Sequence, residues 1–254
     1  SQDRAIEELK TLGFSVVDSG LGPEAIKGLQ QDFDQARALS EQSHGGRERL
    51  EAIDEHNTVR CIMKYKASFM DLAMNAPIVS LVTKMMGQAP VLNQQNGISN
   101  PPHGAQYNQG SWHRDLPYQH VTFSRPIAIN ALYCIDDFTL ENGATKVLAA
   151  THKQEDFPSE GYINRYAEQV TAKAGSFIVL DCMVYHSGSS NTTAVERRAV
   201  NHVYTIPLLK QQLDLPIELG EDFPRNEEER RFLGFPYQIP SSVEAYYRQR
   251  EARS

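Results

Sequence analysis

A short run near the middle of the chain, Trp112-His113-Arg114-Asp115, contains two residue types that bind metal ions in proteins. If the run is extended, alternate side chains point to the same side, so His113 and Asp115 face one spot while Arg114 faces away. An imidazole and a carboxylate directed at one point are two of the three protein ligands of an open metal site. The spacing therefore predicts part of a metal centre.

His186 is the best candidate for the third ligand. It follows the apolar run 176–180 and a short connection at 181–185, as expected for a histidine delivered by a buried strand. Two histidines and one carboxylate leave coordination positions open, and non-haem Fe(II) in such a site binds a co-substrate and dioxygen together. We therefore predict an oxygenase, with a zinc hydrolase as the competing interpretation of the same ligand types.

The composition excludes several other classes of protein. A chain of 254 residues with 40% hydrophobic residues is expected to form one domain around a single sizeable core. No apolar run approaches the roughly 18 residues of a transmembrane helix, so no membrane span is expected. The net charge of -7 and the lack of a strongly basic stretch disfavour nucleic acid, which leaves a small-molecule substrate as the expected partner.

The cysteines and the N-terminus favour a cytoplasmic protein. Cys61, Cys134 and Cys182 are too few, and odd in number, for a disulfide framework, and we interpret Cys134 and Cys182, which lie in apolar strands, as small core residues. The first residues lack the charged and then apolar pattern of a secretory signal. Nothing in the sequence distinguishes a monomer from a homodimer.

The residue pattern predicts a mainly β protein with flanking helices. Residues 1–90 read as mostly helical support, with a helix, strand, helix opening and a later helix over 69–86 that contains Pro77. Residues 91–210 read as a core of short strands broken by Gly, Pro and Asn, which is typical of a jelly roll, a double-stranded β-helix of the cupin-like kind. These strands are predicted at 91–95, 111–115, 127–135, 146–148, 176–180 and 199–207.

Two long connections, 151–174 and 211–240, interrupt or follow these strands, and residues 211–254 are predicted to be a lid or tail. Long loops in compact domains are often functional, and aromatic residues on them either close over a ligand or pin the loops to the barrel. The sequence leaves both alternatives open. The aromatic residues concerned are Phe157, Tyr162 and Tyr166 in the first connection and Phe223, Phe232, Phe235 and Tyr237 in the second.

Taken as a set, the motifs of the chain resemble those of the phytanoyl-CoA dioxygenase family. That resemblance implies an Fe(II)- and 2-oxoglutarate-dependent oxygenase on a double-stranded β-helix, in which 2-oxoglutarate and dioxygen are co-substrates. The motifs that carry the resemblance are 112–115, 135–145 followed by 151–153, 174–176 leading to His186 and Asn191, and then Arg197.

The resemblance also implies how 2-oxoglutarate is bound. Arg197 stands eleven residues after His186, the spacing at which the family places an arginine that grips the distal carboxylate of 2-oxoglutarate. A planar, permanently charged guanidinium suits that task. Arg198 is its rival, because one bulge would exchange the two side chains between faces. A zinc hydrolase does not explain Arg197 or the Asn142-Gly143 motif.

Weaker correspondences suggest further contacts. Thr145 resembles a hydroxyl that binds the co-substrate in some relatives, and Asn130, a polar residue within an apolar strand, is a similar candidate. Arg60 or Lys64 lies where some members have a basic residue for 2-oxoglutarate. Tyr107 and Asn108 precede the metal motif and are candidates for the substrate pocket.

One motif departs from the family pattern, since Ala149-Ala150-Thr151-His152 replaces the more usual Pro-Gly-Ser-His. We interpret His152 as structural because the triad leaves no ligand position for it. Hydroxylation of a small metabolite is the default reaction, while desaturation, oxidative cyclisation and epimerisation remain alternatives. Halogenation is disfavoured because Asp115 keeps the carboxylate ligand. A non-catalytic jelly-roll binding protein is the alternative from another class.

Overall fold

The computed structural model describes residues 1–105, 110–116 and 119–251. Its α-helices are α1 (Gln2–Thr11), α2 (Pro23–Ser43), α3 (Arg47–Ala52), α4 (Ser68–Ala73), α5 (Ala76–Met86), α6 (Glu160–Tyr166), α7 (Leu215–Leu219), α8 (Glu227–Phe232) and α9 (Val243–Glu251). Its strands are β1 (Phe14–Asp18), β2 (Thr58–Arg60), β3 (Val91–Asn100), β4 (Ala128–Cys134), β5 (Lys146–Leu148), β6 (Glu168–Gln169), β7 (Ser176–Asp181), β8 (Tyr185–Ser187) and β9 (Arg197–Thr205).

The strands form two antiparallel sheets. The larger has the order β1-β7-β4-β9-β3-β2, and the smaller has the order β6-β5-β8. Apolar side chains of both sheets meet in one cluster, in which Ile178 and Ala199 of the larger sheet pack with Val147 of the smaller one. Two sheets that enclose such a layer form a sandwich, and the predicted jelly roll with flanking helices is confirmed.

Helices cover the outer face of the larger sheet. Leu9, Phe33 and Leu81 of the N-terminal helices share a buried cluster with Tyr133 of β4 and Phe177 of β7. Because side chains alternate along a strand, β4 and β7 bury one set of residues against these helices and the other set between the sheets. Both faces are thus apolar, which accounts for the nearly continuous hydrophobic runs of these two strands.

The region after residue 210 also contributes to the core. Leu215, Phe232 and Leu233 are buried in the same cluster as the N-terminal helices. The part of the predicted lid or tail that contains these three residues is therefore fixed against the barrel, because its apolar side chains are buried there. By contrast, Tyr246 and Tyr247 of α9 are exposed.

Two predicted elements differ in detail. The helix expected over 69–86 is two helices, because Asn75 caps the second one by accepting a hydrogen bond from the Ile78 backbone N–H, ahead of Pro77. The strand expected over 111–115 is reduced to one bridge, between His113 and His186. None of the helices in the described ranges is both long and apolar enough to cross a membrane.

Candidate metal and co-substrate site

Backbone pairing brings the three predicted metal ligands together. His113 and His186 exchange two backbone hydrogen bonds, 2.9 Å from the His113 N to the His186 O and 3.0 Å in the reverse direction. Two residues further on, the Asp115 backbone N donates to the Cys182 O at 2.9 Å. The run before residue 116 is thus extended alongside β8, as the alternation argument requires.

The side chains of the triad converge on one point. Their ligand atoms all lie within 4.8 Å of one another. The Nε2 atoms of His113 and His186 lie 3.5 Å and 3.4 Å from the same oxygen, Oδ1 of Asp115. This is the convergence of two imidazole nitrogens and one carboxylate oxygen that a facial metal triad needs, and it fits Fe(II).

Both histidines are oriented by backbone carbonyls. The Nδ1 atom of His113 lies 2.8 Å from the Ser111 O, and that of His186 lies 2.9 Å from the Val184 O. A carbonyl oxygen only accepts, so each Nδ1 carries the proton and each Nε2 directs a lone pair at the cluster. Such contacts fix the tautomer and ring orientation of metal-binding histidines.

The electrostatics of the triad favour an ionised carboxylate. Burial on its own would raise the pKa of Asp115, but His186 and His113 beside it hold that pKa well below its usual range. Burial would lower the pKa of His113, yet the hydrogen bond to Asp115 and its charge raise it overall. A divalent cation bound by the two Nε2 lone pairs would be the positive partner of Asp115.

Asn130 of β4 supports the carboxylate ligand. Its Nδ2 donates to Oδ2 of Asp115 at 2.9 Å, while the other carboxylate oxygen faces the histidines. Its Oδ1 is buried and has no hydrogen-bond partner in the part of the chain that the structure describes. Asn130 was predicted to bind 2-oxoglutarate, and this stays a prediction: one amide N–H group is held by Asp115, while the side chain lines the cavity.

We expect Asn130→Leu to weaken metal binding by about 10- to 100-fold, because partners that orient metal ligands typically have effects of this size. Titration of the apoprotein with Mn(II), followed by electron paramagnetic resonance of the free ion, measures the change. Asn164→Leu, the same substitution at an exposed position of α6, is the control. An unchanged affinity in Asn130→Leu would show that Asp115 needs no such support.

Arg197 and Thr145 line the same cavity as the triad. The Arg197 side chain is 3% exposed, its Cζ lies 3.9 Å from the centre of the Phe138 ring, and Nη2 donates to the Gly143 O at 2.9 Å. A guanidinium held over an aromatic ring and by a backbone carbonyl is preorganised for a bidentate partner. The cavity therefore joins the candidate metal triad to a buried cation.

The Asn142-Gly143 motif shapes the turn that holds Arg197. The Asn142 side chain accepts from the Thr139 N at 2.8 Å and donates to the Asp137 O at 2.7 Å. Gly143 has φ of +81°, and a Cβ there would lie 2.3 Å from the Ser189 O. Only glycine fits this position, and its carbonyl receives Arg197.

Arg198 points the other way. Its guanidinium donates to both oxygens of Asp136 at 2.8 Å and 3.0 Å and also reaches Asp34. The hydrogen bond to Asp136 raises the pKa of Arg198. The ladder of β9 with β3 runs in register through both arginines, so no bulge exchanges their side chains between faces. Arg197 is the one that faces the cavity.

The structure does not bring Arg60 or Lys64 to this cavity. Arg60 lies in the edge strand β2 and forms a salt bridge with Glu55 at 2.6 Å, and Lys64 pairs with Glu218. Because each is held by a nearby carboxylate, the prediction that one of them binds 2-oxoglutarate is not supported by its position. Two further predicted contacts, Tyr107 and Asn108, lie outside the described residues.

Other predicted residues have structural roles. His152 is buried away from the triad, where burial lowers its pKa to about 4. Trp112 stacks on Tyr185, and Phe157 also contacts Tyr185. Arg114 holds the start of the first long connection, 151–174, by donating to the carbonyls of Thr151 and Gln154, among others. In the first long connection, the contacts of Phe157 therefore favour pinning over closure.

One cavity residue, Asn201, was missed in the sequence. It lines the cavity on the same face of β9 as Arg197, four residues away. The period of two was a usable signal, because it places residues 197, 199 and 201 on one face. Cys182, assigned to the core, is buried and forms no disulfide, and burial together with the nearby charge of Asp115 raises the pKa of its thiol.

The buried carboxyl group of Asp181, at the end of β7, should make the stability of the fold depend on pH. Burial raises its pKa from 3.8 to about 6, although the Met183 N donates to it. The folded protein thus binds this proton more tightly than the unfolded chain, so the contribution of Asp181 to stability declines as the pH rises from about 4 to 6 and stays low above 6. A shift of two units corresponds to at most about 3 kcal/mol.

We expect Asp181→Asn to remove this decline, because asparagine stays neutral and keeps the acceptor for Met183. The unfolding free energy of the variant, relative to the unsubstituted protein, should increase by up to about 3 kcal/mol between pH 4 and pH 7. Urea denaturation at a series of pH values measures this difference. A constant difference across the series would contradict the assignment.

The fold and the candidate triad agree with the protein family to which the sequence belongs. The sequence model of the phytanoyl-CoA dioxygenase (PhyH) family matches residues 9–199, so the chain belongs to this family of non-haem Fe(II)- and 2-oxoglutarate-dependent dioxygenases. An uncharacterized protein from Mycobacterium tuberculosis is 29% identical over 100% of this chain and 94% of its own length. Ectoine dioxygenase of Nocardia farcinica is 25% identical over 78% of this chain and 76% of that protein.

Solved structures agree at the level of the fold. EctD from S. alaskensis, solved with 2-oxoglutarate and 5-hydroxyectoine, superimposes with a TM-score of 0.65 at 20% identity and covers 91% of this chain and 82% of its own. The 2-oxoglutarate-dependent epimerase SnoN superimposes with a TM-score of 0.61 at 16% identity, over 80% of this chain and 82% of its own. At these identities the likeness concerns the fold alone.

Proposed function

We propose that His113, Asp115 and His186 hold Fe(II), and that Arg197 and Thr145 bind 2-oxoglutarate beside it. One observation carries the proposal: the three ligand atoms that lie within 4.8 Å of one another line the same cavity as the buried Arg197. When bound, the iron and 2-oxoglutarate together supply the activation of dioxygen, with release of succinate and CO2. A zinc hydrolase does not explain why Arg197 lies in the same cavity as the triad.

The residues of the chain divide the binding of 2-oxoglutarate between them. Arg197 pairs with the distal carboxylate through its fork of N–H groups, and charge-assisted bonds of this kind are among the strongest in proteins. The Thr145 hydroxyl, which is 6% exposed, donates to the same carboxylate. The open side of the triad then receives the other end of 2-oxoglutarate and dioxygen.

The proposed reaction is hydroxylation of a small metabolite. Desaturation, cyclisation and epimerisation are further outcomes of the same chemistry, and one fold neighbour is an epimerase. The charge of -7 argues against a coenzyme A thioester, whose phosphates require several Lys or Arg contacts. The free, buried cysteines support a reducing compartment such as the cytoplasm, and the chain acts as a monomer or homodimer.

The test is the conversion of 2-oxoglutarate to succinate under air, with Fe(II) and a panel of metabolites. We expect slow, strictly Fe(II)-dependent succinate formation that a true substrate accelerates, and loss of all turnover in Asp115→Ala. Binding of metabolites without any succinate formation would instead support a non-catalytic jelly-roll protein. Hydrolysis of esters or amides with Zn(II) would support the hydrolase.

A further inference from the structure

Two amide oxygens in the metal cavity lack hydrogen-bond donors. Oδ1 of Asn130 and Oδ1 of Asn201 are both buried, and neither has a partner within the described ranges. Buried side-chain acceptors in proteins are almost always satisfied by protein, water or ligand. Two unsatisfied acceptors in one cavity therefore indicate something that binds there and supplies donors.

The orientation of the Asn130 amide is fixed by its neighbour. Its Nδ2 donates to Oδ2 of Asp115 at 2.9 Å, and a carboxylate that binds a metal only accepts hydrogen bonds. The amide cannot be reversed without placing an oxygen against that carboxylate. Oδ1 of Asn130 is thus an acceptor that faces away from Asp115.

The two asparagines are neighbours on the inner face of the larger sheet. Asn130 of β4 stands opposite Val203 of β9, and Asn201 lies two residues before Val203, opposite Leu132. Such diagonal positions on adjacent strands are about 7–8 Å apart at Cα, so both side chains reach one small molecule. Both asparagines line the cavity together with the triad and Arg197.

2-Oxoglutarate does not satisfy these acceptors. As a dianion it carries two carboxylates and a ketone, all of which only accept hydrogen bonds. The donors must come from a second molecule. A charged donor is not required, because Asp115 and the two carboxylates of 2-oxoglutarate already balance the charges of Arg197 and a divalent metal in this cavity. Neutral hydroxyl or amide N–H groups are the donors that remain.

We propose that Asn130 and Asn201 form an acceptor pair that binds two neutral hydroxyl or N–H groups of the substrate. The substrate class is then an uncharged, polar molecule with two neighbouring donors, such as a diol. The pair holds the donor-bearing carbons beside the triad, since Asn130 touches Asp115 directly. This inference rests on the proposed function, because it assumes that the same cavity holds metal and 2-oxoglutarate.

The experiment uses two probes that differ only in their donors, trans-cyclohexane-1,2-diol and its dimethyl ether. With the protein loaded with Mn(II) and 2-oxoglutarate, paramagnetic relaxation of the probe protons reports binding near the metal. We expect the diol to be relaxed with an apparent affinity about fivefold or more above that of the ether, as one or two hydrogen bonds imply. Asn201→Leu and Asn201→Ala should both remove the difference.

Two control variants show whether an effect comes from loss of the Asn201 acceptor. Asn201→Ala opens space where Asn201→Leu fills it, so a loss in both traces to the acceptor and not to blockage. Asn164→Leu, on the exposed surface of α6, should leave the difference intact. Relaxation of the 2-oxoglutarate protons, recorded in the same samples, reports whether the co-substrate site is intact.

The outcomes separate the two proposals. Equal relaxation of diol and ether, or no enhancement for either while 2-oxoglutarate is bound, would overturn the acceptor pair and leave the proposed function standing. A difference that persists in both Asn201 variants would also overturn it. Failure of 2-oxoglutarate itself to relax in the unsubstituted protein would overturn the proposed function.

Discussion

Alanine at His113, Asp115 or His186 should abolish Fe(II)-dependent turnover of 2-oxoglutarate while the protein remains folded. An open site has only three protein ligands, so the loss of one removes both affinity and the geometry in which 2-oxoglutarate binds. His186 is the most buried of the three, at 6% exposed, and its removal also leaves Asp115 without one of its two imidazole neighbours. Succinate formation and circular dichroism, measured on the same preparations, test the two halves of this expectation.

The matched control is His44→Ala. His44 is exposed at the end of α2, and its loss removes an imidazole without touching the triad. We expect this variant to retain full turnover. Near-normal iron-dependent turnover in any one of the three triad variants would show that the triad is not the metal site.

Lysine at Arg197 should raise the dissociation constant of 2-oxoglutarate by roughly 10- to 150-fold. Lysine keeps the charge but loses the planar fork that pairs with both oxygens of a carboxylate and that is held over the Phe138 ring. One charge-assisted hydrogen bond contributes about 1.5–3 kcal/mol, which corresponds to that range. Calorimetric titration of the metal-loaded protein with 2-oxoglutarate measures it.

Arg198→Lys provides the control in the adjacent position. Its side chain lies on the opposite face of β9, paired with Asp136 and Asp34, so the substitution should reduce stability and leave the affinity for 2-oxoglutarate unchanged. The opposite pattern, with weaker binding in Arg198→Lys and normal binding in Arg197→Lys, would transfer the co-substrate role to Arg198.

The sequence was informative where a local rule applied. Alternation along an extended run placed His113 and Asp115 on one side, and the succession of short strands predicted the jelly roll. The pairing of His113 with His186 depends on a contact across 73 residues, and periodicity in one segment cannot determine such a register. His186 was therefore a candidate from the sequence, and the structure shows the contact.

Other site residues depended on interactions that no local pattern encodes. The choice between Arg197 and Arg198 depended on whether β9 contains a bulge, which only its ladder with β3 decides. The position of Arg60 outside the cavity, where it pairs with Glu55, likewise follows from the assembled structure and from no local pattern. The contact of Asn130 with Asp115 joins two segments whose proximity follows from the assembled sheets.

The most direct test of the central claim is anaerobic calorimetric titration of 2-oxoglutarate into the protein with and without Fe(II). If the triad and Arg197 form one site, a single 2-oxoglutarate should bind per chain, tightly only when the metal is present, because the metal and Arg197 hold opposite ends of the same molecule. Asp115→Ala should then behave like the metal-free protein. Equal affinity with and without Fe(II), or no binding in either case, would contradict the account.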